Sequence, residues 1–185
     1  MKTRFFALLF LLGFAPVSLF FQSCNKIKDL AKFDVTQTLP TVSVPIVKSV
    51  KSSLSEQYYQ FSQYVNLDSI KSAHNISSIS LSNGQVTGAL ITVTAPAGAN
   101  LAFLNSARLT LFNSASNELQ VAHTGTIDPI SNSVQFILDV ANITPFLNSQ
   151  HFTGRLYYDV NYAILPAPTV LLGLSNTLKF TVSPL

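Results

Sequence analysis

"YQFSQYVNL", residues 59–67, alternates in character at every second position. Tyr59, Phe61, Val65 and Leu67 share one parity; Gln60, Ser62, Tyr64 and Asn66 share the other. A helix would repeat its apolar face every 3.6 residues, whereas a period of two belongs to a strand with one face turned to a core. The stretch therefore predicts a strand that buries Phe61 and turns Tyr64 outward.

The same rhythm runs in both directions. "FDVTQTL" (33–39) and "TVSVPIV" (41–47) precede it. Further runs rich in Val, Ile, Thr, Phe and Tyr cover 76–81, 86–94, 107–112, 119–124, 134–140, 152–162, 169–174 and 177–182. Turn-forming clusters punctuate them: "SNG" at 82–84, "APAG" at 95–98, "NSASN" at 113–117, "DP" at 128–129 and "PAP" at 166–168. Two stretches break the alternation. "LDSIKSAHN" (67–75) offers Asp68 as an N-cap, and "ANITPFLNS" (141–149) places Pro145 at a first helical position, so that Phe146 and Leu147 can turn inward. Neither is long enough to build a helical layer. The expectation is an all-β chain forming a single β-sandwich, immunoglobulin-like or jelly-roll. It should have about nine to eleven strands and one or two short helices.

Charge is scarce. Only 10% of the 185 residues are Asp, Glu, Lys or Arg, against about 25% in an average domain. The net charge of +3 falls to about +1 once Lys2 and Arg4 are set aside, which gives no footprint for nucleic acid. His74, His123 and His151 stand far apart, and no HExxH or H-x-H spacing joins them, so no metal site is expected. Asp34, Asp68, Asp128, Asp139 and Asp159 are scattered without a calcium-loop pattern. No serine sits in G-x-S-x-G, and the seven glycines form no phosphate-binding loop. No catalytic residue and no cofactor is assigned, and the chain is read as a non-enzyme.

Tyrosine offers the better lead. Six tyrosines fall into two groups, Tyr58-Tyr59-Tyr64 and Tyr157-Tyr158-Tyr162. Adjacent residues of a strand point to opposite faces, so one ring of each pair can lie in the core and the other outside. Tyr58, Tyr64 and Tyr157 are the expected outward members, suited to a protein or glycan partner.

The amino-terminal region carries an address. Met1 to Arg4 holds two positive charges, and "FFALLFLLGFAPVSLFF" (5–21) holds none. A basic start followed by an apolar run is the layout of a secretory signal, and Gly13 and Pro16 disfavour a stable spanning helix. The run Phe21-Gln22-Ser23-Cys24 resembles a bacterial lipobox: an apolar residue three places before the cysteine and a small one directly before it. The resemblance covers residues 1–24 and implies cleavage before Cys24 and acylation of that cysteine, which is the chain's single thiol. It divides the chain into a signal peptide (1–23), a lipidated tether (24–32) and a β-sandwich domain (33–185). Lys26 and Lys28 with a lone Asp29 favour a periplasm-facing position, and the expected location is the outer membrane of a Gram-negative cell envelope, facing the periplasm. "DSI" (68–70) resembles an O-glycosylation acceptor of some Gram-negative envelope proteins, which makes Ser69 the acceptor.

These readings converge on a membrane-anchored envelope lipoprotein, similar to the broad group of β-sandwich envelope lipoproteins. It would act as a non-enzymatic binding or structural accessory module, held to the lipid bilayer through Cys24. Two other classes stand beside it: a carrier of lipid or another apolar ligand between the sheets, and a hydrolase of envelope polysaccharide.

Overall fold

The computed structural model describes residues 32–48, 56–114, 117–147 and 150–185. The signal peptide, Cys24 and the tether as far as residue 31 lie outside the described residues.

Nine strands make up the described fold: β1 (Phe33–Thr38), β2 (Val42–Val47), β3 (Gln57–Tyr64), β4 (Ile79–Ala95), β5 (Leu104–Ser114), β6 (Asn117–Thr124), β7 (Ser133–Leu138), β8 (His151–Val160) and β9 (Thr169–Pro184). Every pairing is antiparallel. They form one continuous path, β1-β9-β4-β7-β6-β5-β8-β3, with β2 following β1 along β9. The path folds into two layers. β7 belongs to both, because Ser133 to Gln135 pair with β4 and Phe136 to Leu138 pair with β6.

The pairing decides the type of sandwich. With β1 and β2 counted as one interrupted strand, the first strand pairs with the last, β3 with β8, β4 with β7 and β5 with β6. A long hairpin wound on itself in this way is a jelly roll. The immunoglobulin-like alternative is excluded by the same connectivity.

Alternation places the core where the sequence predicts it. Phe61, Val65 and Leu67 are buried and Tyr59 is half-buried, while Tyr58, Gln60, Ser62 and Tyr64 are exposed. Val44, Ile46, Ile91, Leu172, Leu174 and Phe180 of the first layer meet Leu109, Leu111 and Leu156 of the second in one apolar cluster. One polar tie crosses that interior: Asn176 Nδ2 on β9 donates to Gln63 Oε1 on β3 at 3.2 Å, and Gln63 Nε2 donates to the Pro40 carbonyl at 2.8 Å.

Helix α1 spans Leu67–His74 and α2 spans Thr144–Leu147, with a 3₁₀ turn at Tyr162–Ile164. The cap of α1 is Asn66 rather than Asp68: Asn66 Oδ1 accepts the Ser69 N–H at 2.9 Å, and Asp68 lies in the first turn, paired with Lys71. The "SNG" run is not a turn. β4 passes straight through it with a shifted register between Ser82 and Gln85, and Asn83 takes a positive φ of 52°. This is a bulge, and it makes room for α2. The Gly84 N–H donates to Thr144 Oγ1 at 2.9 Å, and its carbonyl accepts the Ile143 N–H at 2.8 Å. A Cβ at Gly84 would stand 2.9 Å from the Thr144 nitrogen, so only glycine lets the two backbones approach.

Candidate interaction surface

The outward face of β3, β8, β5 and β6 carries side chains in register across all four strands. One row runs Tyr58, Tyr157, Arg108, His123; the next runs Gln60, Arg155, Thr110, Gln120; a third runs Ser62, Thr153, Phe112, Glu118. Directly opposed residues on one face of an antiparallel pair are near neighbours, so each row is a contact path rather than a list.

Aromatic rings and guanidinium groups interlock along these rows. The Tyr58 and Tyr157 rings lie 5.4 Å apart between centroids, tilted by 46°. Arg108 places its Cζ 3.8 Å from the centroid of Tyr157, and Arg155 places its own 3.9 Å from Phe112 and 5.1 Å from Tyr58. Both geometries are those of cation–π contact.

Two carboxylates fix the cations. Glu56 receives a two-pronged bond from Arg108, Nε to Oε1 at 2.8 Å and Nη2 to Oε2 at 2.7 Å. Those bonds hold the Glu56 carboxyl below its ordinary pKa. Glu118 sits deeper in the network. Arg155 donates to its Oε2 at 3.0 Å, the Tyr157 hydroxyl donates to the same oxygen at 3.2 Å, and the buried Thr110 hydroxyl donates to Oε1. Burial works against the Glu118 charge, but the bonds from Thr110 and Tyr157 and the positive charge of Arg155 outweigh it and lower its pKa. At the β7 side, Asp139 accepts from Gln120 Nε2 at 3.0 Å and meets His123 Nδ1 at 3.1 Å.

The structure brings Tyr58 and Tyr157 together and sets Tyr64 at the other end of β3, about 20 Å away along the strand. Tyr64 lies on the same face; its hydroxyl donates to Gln150 Oε1 at 2.9 Å and its ring lies 4.9 Å from that of His151. Of the neighbouring tyrosines, Tyr158 is buried and Tyr59 half-buried, as alternation requires. Ser69 is exposed on α1. Sequence reasoning missed Arg108, Arg155, Glu56 and Glu118. Arg155 shares the parity of Tyr157, but the register that sets β5 beside β8 is not written in either strand alone.

The side chains of this face are already held in place by one another. Binding through it would freeze few additional rotamers, which lowers the entropic cost of association. Among the described residues no three His, Cys, Asp or Glu side chains stand close enough to hold a metal ion, and no helix is long and apolar enough to cross a membrane.

No protein-family model and no curated protein sequence matches the chain. A solved structure of Desmodium yellow mottle tymovirus matches 80% of this chain and 89% of its own, at 16% identity and a TM-score of 0.24.

Proposed function

We propose that the chain is a lipid-anchored protein of a Gram-negative cell envelope that binds a protein or glycan partner without catalysing a reaction. The anchor is Cys24, acylated after removal of residues 1–23, and the domain stands at the outer membrane facing the periplasm. The sequence run ending in Ser23-Cys24 supports the anchor. The observation that carries the binding role is the preorganised row of Tyr58, Tyr157 and Arg108, in which Tyr58 remains 53% exposed. Rigid tyrosines braced by arginine are the residue types that dominate the energetics of protein interfaces. Ser69, exposed on the first helix, is the proposed glycan acceptor.

Two measurements test the reading separately. Cells fed a fatty-acid analogue should label the wild-type chain and leave Cys24→Ala unlabelled and uncut; equal labelling ends the anchor. A photo-crosslinking residue at position 58 should give a discrete adduct with an envelope component other than this chain, while the same residue at exposed Thr36 on β1 should not. Identical adduct patterns at both sites would remove the tyrosine face from the proposal.

A further inference from the structure

A jelly roll closed at β7 has one open seam, bordered by β1 and β2 in one layer and by β3 in the other. The two borders are built differently. β2 contains Pro45, and Lys48 follows it. The Lys48 N–H donates to the Pro168 carbonyl, and with the register of β2 on β9 this turns the backbone of residues 43, 45 and 47 toward the free side. Pro45 therefore removes a donor from the free side. On β1, the interruption of the strand at Pro40 and the charged Asp34 do similar work, since Asp34 also has its backbone turned outward. Proline and charge on a border strand are the usual protection against pairing with another chain.

β3 has none of these. "QYYQFSQY", 57–64, contains no proline, no glycine, no charge and no register shift against β8. The Val65 N–H donates to the Gln150 carbonyl, and both backbone groups of Ala107 are taken by the Thr124 hydroxyl, which turns the backbone of its partner Tyr158 toward β3. Both observations fix the odd residues of β3 as those bonded to β8. The N–H and C=O groups of Tyr58, Gln60, Ser62 and Tyr64 thus point out of the sheet, and among the described residues no strand meets them.

We propose that this edge pairs with the same edge of a second copy, antiparallel, about a two-fold axis at Phe61. That register sets Gln60 opposite Ser62 of the other copy and Tyr58 opposite Tyr64, and each opposed pair exchanges two backbone bonds. It is the register that opposes all four outward residues of the strand, 58, 60, 62 and 64, whereas a shift of two residues either way opposes only three. The strand is complementary to itself: two aromatic pairs at the flanks, two Gln–Ser pairs at the centre, and no like charges face to face. Glu56, the nearest charge, is already held by Arg108 of its own chain. Because the axis is normal to the sheet, both outward faces look the same way, and the four-stranded surface is doubled without change of direction. The inference does not depend on the lipid anchor or on the tyrosine partner.

The test is the particle mass of the full chain in detergent, by sedimentation equilibrium across a range of concentration. Two copies per particle are expected. Ser62→Pro removes a donor that faces outward and leaves every bond of the ladder to β8 in place, so the circular dichroism spectrum should stay that of the folded β domain, while dimerisation weakens roughly 10- to 100-fold. Ser62→Lys, which keeps every backbone donor, should weaken it as well, and less so at high salt. A wild-type monomer overturns the proposal, and so does a dimer that survives both substitutions. A monomer whose amides at 58, 60, 62 and 64 exchange slowly would also overturn it, by showing that the chain covers its own edge.

Discussion

The ring of Phe61 lies over Gly154, its direct partner on the neighbouring strand. A methyl group at 154 would stand 2.8 Å from Phe61 Cε2, inside van der Waals contact. Glycine thus leaves a space at the inner surface of β8, and the phenylalanine fills it.

Gly154→Ala should destabilise the domain by about 1–3 kcal/mol, the usual cost of adding a carbon to a filled core. Phe61→Leu in the same chain should recover part of that loss, because the two residues share one volume. Urea denaturation of the two single variants and the double variant measures the coupling. Strictly additive losses would show that the ring accommodates the methyl by moving elsewhere.

Phe61 is 7% exposed and Tyr64 is 37% exposed. Phe61→Ala should therefore cost about 3–5 kcal/mol, through lost burial and the cavity left behind. Tyr64→Ala should stay within about 1 kcal/mol, since it gives up an exposed hydrogen bond to Gln150 and a contact with His151. The reverse order in chemical denaturation would mean that the strand sits one residue out of register.

Glu118→Ala should cost about 1–3 kcal/mol, because it strips the buried Thr110 hydroxyl and Arg155 of their shared acceptor. Glu56→Ala, whose side chain is 45% exposed, should cost less than about 1 kcal/mol. The two carboxyls also set an acid limit. Each has a folded pKa below its unfolded value, so the stability it contributes is complete above about pH 4.3. That contribution is lost as the pH falls further, through the lower folded value. Glu118→Gln should flatten the fall in thermal midpoint below about pH 4.3 relative to wild type. An unchanged slope would remove Glu118 from the acid response.

Strand positions were largely legible because each buries one face, and burial writes a period of two into the sequence. The runs at 76–81 and 86–94 join into one strand, β4, and those at 169–174 and 177–182 into another, β9. The first join was hidden by Asn83-Gly84, which reads as a turn and serves as a bulge. A bulge and a turn use the same residues, since both need a positive φ or a close backbone approach, and only the tertiary contact with Thr144 separates them. At the second join, Asn176 is polar yet buried, tied to Gln63 from a strand more than a hundred positions earlier. The interaction surface was half legible. Parity marked Tyr58 and Tyr157 as outward, but their meeting with Arg108, Arg155 and Glu118 depends on the order of four strands, which local pattern does not encode.

The layer that holds β1, β2 and β4 has its middle strand supplied by residues 169–184, the last described strand to be synthesised. Until those residues appear, β4 and the β1–β2 pair have nothing between them, and Phe33 waits for a partner, Val182, at the far end of the chain. At about 5–20 residues per second, that wait lasts on the order of ten seconds or more. A growing chain can form the β5–β6 hairpin early, but the layer of β1, β2 and β4 cannot close without β9. Closure of this layer therefore waits for residues 169–184, and the strand order rather than any local pattern sets when the sandwich can close.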